Sequence, residues 1–325
     1  MTPAKETSAL PEWARLAADQ SRVAFGLAVA ELASRDDRVV AVSADTLDFV
    51  GLRRFQERFP DRLIDVGIAE QNAMGVAAGL ATTGLRPYVC GYAPFITARS
   101  LEQLRNDVAY ARQRVVIGAG AGGIVLSVAG GTHHALDDLA ITRGLPGMTV
   151  IVPADAHQAW HATLATERID GSVYVRLGGR FDEPPVTPVD GPFTVGKAEL
   201  MRDGKDVAVI ACGSLVVAAL EAARTLAGRG VQVRVLNMHT IKPLDRDAVL
   251  AAAAETKGIV AAEEHRLPGG LGSAVAELLS AERPTRMRFV AMPDEFSVAG
   301  PTARVRERYG LCSAGIVEAC LALVA

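Results

Sequence analysis

The stretch VGIAEQNAMGVAAGLATTG, residues 66–84, decides how the rest of the chain is read. It sets a carboxylate, Glu70, at the head of a run made almost wholly of small residues. The pattern predicts a helix over residues 69–82 with Gly84 as its stop, because glycine adopts the left-handed conformation that ends helices. Small side chains let another segment or a ligand come close. Acid in the first turn also suits the helix dipole. From this stretch alone, Glu70 is either a cap at a tightly packed helix start or a carboxyl group placed for chemistry.

Outward from it, short apolar runs alternate with helical patterns. Runs at residues 38–45, 62–67, 86–92, 114–120, 149–155 and 172–178 read as strands. Helices are expected between them at 20–34, 69–82, 94–111, 134–143 and 156–167. Near-continuous apolar strands separated by helices imply a parallel sheet covered on both faces. The segment GGRFDEPPVTPVDGP, residues 178–192, is rich in Pro, Gly and acid and has no periodicity, so it reads as a linker. After it the alternation restarts with DVAVIAC, VQVRVLNM and GIVAAEE as strands and helices from Ser214, Asp245 and Gly270. The expected architecture is α/β, with two doubly wound domains at 18–180 and 193–325 joined by residues 181–192.

Composition narrows the function classes. With 325 residues, half of them hydrophobic, and a net charge of -3, the chain is an ordinary globular protein of about two domains. No basic excess points to nucleic acid or an anionic membrane. The four cysteines are widely spaced without a CxxC pair, which argues against a metal site or disulfide framework. The N-terminal residues lack the apolar core of a signal peptide, and no run has the length of a membrane span. The expectation is a cytoplasmic protein. GAGAGG, residues 118–123, follows a strand and fits GxGxxG. A dinucleotide loop needs a helix straight after the glycines. IVLSVAGG follows instead, so a second strand or a buried loop is expected.

Three stretches carry more when read together: DVGIAEQNAMGVAAGLA (65–81), GYAPFITARSLEQLRND (91–107) and GGTHHALDDLAITRGLPGMTVIVPAD (130–155). In this order and spacing they resemble the pyrimidine-binding domain of transketolases and their relatives. LNMHTIKPLD (236–245) and EEHRLPGGLGSAVAELL (263–279) look like that family's C-terminal domain. The family binds thiamine diphosphate and anchors its diphosphate and a divalent metal with GDG followed later by Asn. This chain has no GDG. It therefore resembles the C-terminal subunit of a split transketolase. The resemblance implies a diphosphate-binding partner chain that holds most of the Mg2+ (or Ca2+ or Mn2+) site, an α2β2 assembly, and sugar phosphate substrates, with no metal ligand from this chain.

The resemblance also assigns residues. Glu70 falls on the glutamate that contacts N1′ of the aminopyrimidine, and poor solvation there favours sharing of a proton. Tyr92 and Phe95 match aromatics that pack on the pyrimidine, with core packing as the alternative. Arg99 and Gln103 continue that motif or form the polar side of its helix. His133 matches the histidine facing the substrate carbonyl, where an imidazole can donate to a developing alkoxide. His134 beside it is expected to point elsewhere, as neighbours on a helix do. Arg22 and Arg176 fall where the family places arginines on the sugar phosphate, against the alternative of salt bridges. Asp45 falls on an aspartate lining the cofactor cleft, or is a helix cap. His157, His161, His239 and His265 read as structural or surface residues.

The chain also departs from the pattern. Where sugar-phosphate transketolases carry an acidic pair before the Thr-His, it has Val128 and Ala129, and a further upstream histidine appears as Ala121 or a neighbouring glycine. A pocket with fewer polar groups discriminates less for hydroxyls, so a less conventional ketose is expected. Within the same chemistry, a deoxyxylulose-phosphate-synthase-like enzyme and the β subunit of a 2-oxo-acid dehydrogenase remain open, as does a non-catalytic regulatory module.

Overall fold

The computed structural model describes residues 10–179 and 184–324. Residues 181–183 of the expected linker lie outside the described residues. The first half supplies six strands: β1 (Val39–Ser43), β2 (Leu63–Asp65), β3 (Arg86–Tyr92), β4 (Val116–Gly120), β5 (Thr149–Ile151) and β6 (Val173–Arg176). The second supplies β7 (Glu199–Arg202), β8 (Val207–Ala211), β9 (Val233–Asn237), β10 (Thr240–Lys242), β11 (Ile259–Arg266) and β12 (Met287–Met292). They form two sheets, ordered β10-β5-β6-β4-β3-β1-β2 and β12-β11-β8-β9-β7. All pairings among β1–β6 are parallel, as the buried apolar runs require.

Two edges depart from the expectation. β7 pairs antiparallel with β9. β10 leaves the second half and pairs antiparallel with β5, so a strand from one half completes the sheet of the other. Apolar packing follows it across: Val150 and Val152 share one buried cluster with Leu236, Met238 and Ile241. At this junction His239 is buried, its Nδ1 is 3.0 Å from Thr240 Oγ1, and the Phe193 ring stacks on it at 4.3 Å. Its backbone carbonyl accepts the Val152 N–H. Burial pushes the His239 imidazole down to about 4, against a weaker opposing pull from Asp245.

The helix read from the opening stretch spans Glu70–Thr82, and Gly84 follows it at φ +86°. The helix expected over 94–111 is not a regular α-helix. Phe95–Arg99 and Leu104–Tyr110 are π-helical turns around a short α segment, Leu101–Gln103. Thr97 Oγ1 donates to Ala93 O and Ser100 Oγ to Ile96 O, and such back-bonding loosens the helical ladder. The helix expected over 134–143 starts only at Asp138. Residues 130–137 are instead a loop, held by a two-way backbone bridge between Gly123 and Ala135. The glycine-rich 118–123 segment runs from β4 into a turn with a short 3-10 stretch, Ser127–Ala129, and no α-helix opens behind it.

Candidate active site

The sheet order reverses at β1: β2 lies on one side of it and β3 on the other. In open α/β sheets, ligands bind outside the carboxyl ends of the strands at such a switch point. Asp45 follows β1, Glu70 follows β2, Tyr92 ends β3, and the loop carrying His133 follows β4. The fold thus gathers these four sequence-selected residues along one edge. Asp45 and Ala121, at the ends of β1 and β4, both take left-handed backbone angles, φ 55° and 61°. Strain of this kind concentrates at functional sites. No helix starts at Asp45, so the capping alternative for it falls away.

Glu70 is 2% exposed. A buried carboxylate is costly unless paired. Its partner is Arg99, whose Nη1 donates to Glu70 Oε2 at 2.7 Å while its side chain stays 46% exposed. The same guanidinium lies over the Phe95 ring, 4.5 Å from its centroid. Phe95 meets the His133 ring edge-on at 5.2 Å, and Tyr92 meets Phe95 at 6.1 Å and His133 at 6.4 Å. Phe49 backs Tyr92 at 4.4 Å. One wall therefore carries a buried carboxylate, two aromatic faces and an imidazole, with Phe95, Tyr92 and His133 half-buried. The sequence leaves Arg99 open between site and surface, and Phe49 has no motif to reveal it.

The two arginines expected on the substrate phosphate are both buried. Arg176 is 6% exposed, and Asp138 grips its guanidinium at two points, Nε–Oδ2 and Nη2–Oδ1, both 2.8 Å. Nη2 also donates to the carbonyls of Ala135 and Glu264. Arg22 is 7% exposed and donates to the carbonyls of Gly179, Asp48 and Phe49 and to Gln20 Oε1. These donors serve the protein's own backbone and a buried carboxylate. In this arrangement both guanidiniums are turned to the protein's own groups, and a role for either on a substrate anion is a matter for the proposed function. Resemblance located the positions, but only tertiary packing revealed who holds them.

His133 and His134 sit in the loop, not on a helix, and do part company. His133 faces the aromatic wall and shares a 3.0 Å contact between Nδ1 and Thr132 Oγ1. His134 is 7% exposed with neither ring nitrogen hydrogen-bonded, and burial lowers its proton affinity. The Ser127 backbone pulls weakly the other way without forming a hydrogen bond of normal geometry. Val128 and Ala129 lie exposed on the adjoining turn. Among the described residues, no group of three or more His, Cys, Asp or Glu is placed to hold a metal ion, and no helix is long and apolar enough to cross a membrane.

This geometry meets independent comparisons. The model of the transketolase pyrimidine-binding domain matches residues 19–179, and that of the transketolase C-terminal domain matches 196–316. The chain is 42% identical to the 6-deoxy-6-sulfo-D-fructose transketolase subunit of Clostridium sp. (strain MSTE9), covering 89% of each. It is 41% identical to an apulose-4-phosphate transketolase subunit of Phocaeicola vulgatus, covering 93% of this chain and 97% of that one. The chain belongs to the transketolase family. A solved structure described as a split gene transketolase, in an inactive β4 tetramer, superposes with TM-score 0.88 at 39% identity, covering 94% of this chain and 98% of that one. Relatives also include 1-deoxy-D-xylulose-5-phosphate synthase 1 of Geobacter sulfurreducens, 40% identical, of which the chain spans 47%. This transketolase chain is thus a subunit of a split transferase, and the split architecture implies a partner subunit. The family depends on thiamine diphosphate.

Proposed function

We propose that this transketolase subunit supplies the pyrimidine half of the active site and moves a two-carbon ketol unit from an anionic ketose to an aldehyde. The observation that carries the residue assignment is the buried Glu70 at the switch point, beside Phe95, Tyr92 and His133. These residues fit an aminopyrimidine: a carboxyl group for a ring nitrogen and aromatic faces for the ring. When bound, thiamine diphosphate supplies a thiazolium carbon that serves as nucleophile and electron sink. Glu70 holds a proton shared with N1′. Tyr92 and Phe95 fix the ring's orientation. His133 donates to the oxygen of the substrate carbonyl as charge develops there. Asp45, exposed at the end of β1, lines the cleft.

The diphosphate and its divalent metal belong to the partner, in an α2β2 assembly, since this chain has no GDG motif. The two relatives named for substrates act on a sulfonated and a phosphorylated ketose. An anionic donor fits that pair, and apolar Val128 and Ala129 beside His133 fit a donor with fewer hydroxyls to read. The domain division at 18–180, 181–192 and 193–325 belongs to the same proposal.

Glu70→Gln tests it in the reconstituted two-subunit complex. Gln keeps the shape and a hydrogen bond but cannot exchange a proton. Exchange of the thiazolium proton into deuterated water should slow by about a hundredfold or more. Wild-type exchange returns Glu70 to a capping role. Product analysis separates ketol transfer from the synthase-like alternative: release of carbon dioxide from pyruvate with a 1-deoxyketose product would favour the latter.

A further inference from the structure

His133 reaches the aromatic wall on a loop whose following residues, Ala135 and Leu136, are buried. Besides the Gly123–Ala135 bridge, the second sheet also holds it. β11 ends in Glu264, His265 and Arg266, which bond respectively to the turn before the loop, the helix after it and the loop itself. Glu264 Oε2 accepts the Ile124 N–H at 3.2 Å. His265 Nε2 accepts the Ala140 N–H at 3.3 Å, while its Nδ1 lies 2.7 Å from the Arg266 carbonyl. The Arg266 backbone N–H donates to Leu136 O at 3.0 Å.

Glu264 is the strongest of these grips. It is 5% exposed, and its second oxygen, Oε1, accepts from Arg306 Nε at 2.7 Å. A buried carboxylate with both oxygens bonded has one orientation. That orientation presses it onto Gly123, where a Cβ would stand 2.2 Å from Oε2 and where φ is +71°. Gly123 is the residue that exchanges two backbone hydrogen bonds with Ala135, at 3.0 and 2.9 Å. Ala135 lies two positions beyond His133 in the sequence. Arg176 closes the circuit by donating to both the Ala135 and the Glu264 carbonyls.

We propose that Glu264, reaching from the second domain, is a positioning residue that sets the placement of the His133 loop. This rests on the reading that His133 faces the substrate carbonyl, but one arm of the test does not. The second domain then has a part in catalysis without touching the reacting atoms.

In the purified chain, amide exchange at Gly123 and Ala135 reads the grip directly. Glu264→Ala should speed both by about tenfold or more while amides of β1 and β3 keep their protection. Glu264→Gln, which still accepts the Ile124 N–H, should restore slow exchange. Unchanged exchange in Glu264→Ala overturns the positioning role, whatever His133 proves to do. Should Glu264→Ala fail to fold, Glu264→Asp, one methylene too short to reach Ile124, carries the same readout. In the reconstituted complex with hydroxypyruvate as ketol donor, Glu264→Ala should lower kcat by about tenfold to a hundredfold, as misplacing a catalytic group does. Thiazolium proton exchange, which depends on Glu70, should stay at the wild-type rate. Adding Glu264→Ala to His133→Ala should cost nothing further, because there is no imidazole left to place. Multiplying losses in the double variant, or equal slowing of proton exchange, overturn the inference. If His133→Ala alone leaves donor consumption normal, the reading of His133 fails, and the amide exchange still decides whether Glu264 positions the loop.

Discussion

Acid should loosen the junction between the two sheets through one imidazole. His239 is 3% exposed and is held neutral, its proton affinity lowered by burial to about 4 from an ordinary 6.5. The unfolded chain takes up a proton near 6.5 and the folded chain does not, so stability rises with pH between these values. The contribution is complete above pH 6.5 and is lost as the pH falls toward 4. A gap from 6.5 to about 4 corresponds to about 3 kcal/mol, at roughly 1.4 kcal/mol for each tenfold change in proton affinity. By pH 5, about 2 kcal/mol of it should be gone. His239→Gln removes the titrating group and leaves a polar side chain beside Thr240. Urea denaturation of wild type and variant at pH 8, 7, 6 and 5 measures the difference. The variant starts lower because its fit against Phe193 is poorer, but its acid loss should be shallower by that amount. Parallel curves for the two proteins would refute the assignment of His239 as a buried neutral base.

Arg176→Ala should leave Asp138, fully buried, without its cation, at a cost of about 3–5 kcal/mol in chemical denaturation; normal stability with a raised KM confined to phosphorylated donors would favour the anion-binding role instead. Arg99→Met leaves Glu70, itself buried, without its cation, but that cation is half-exposed, so the cost should fall below that of Arg176→Ala, at about 1–3 kcal/mol; a loss as large as that of Arg176→Ala would show that water does not replace the guanidinium. Of the four cysteines, only half-buried Cys312 should react with a thiol reagent in the native chain, since burial pushes the thiols of Cys90, Cys212 and Cys320 up, the last to about 12. Mass spectrometry of the labelled peptides checks this, and rapid native labelling of Cys90 or Cys212 would contradict the packing.

What is legible in the sequence depends on range. β3 falls on residues 86–92 as read, because an unbroken apolar run codes for its own burial. Glu70, Tyr92, Phe95 and His133 stand out through motifs, and the sheet order explains why those motifs converge. Long-range pairing leaves no local trace. Arg99 meets Glu70 across 29 positions, and Arg176 meets Asp138 across 38. An arginine in a motif looks the same whether it awaits an anion or already has one. The loop at 130–137 reads partly as helix because Ala and Leu favour helices, yet its backbone groups are spent on the bridge to Gly123. The three residues of β10 are too few to announce a strand, and its partner lies in the other half of the chain.

That short strand has a consequence for how this subunit can be taken apart. Thr240–Lys242 forms the outer edge of the first sheet, and without it β5 would present a row of unpaired backbone groups. A protease cut in the linker should therefore yield a nicked protein whose two pieces stay associated and melt together. Neither half is an interchangeable part. A chimaera that borrows its C-terminal domain from a relative must also borrow a strand that fits the Val150–Ile151 edge. The natural unit of recombination is the whole subunit.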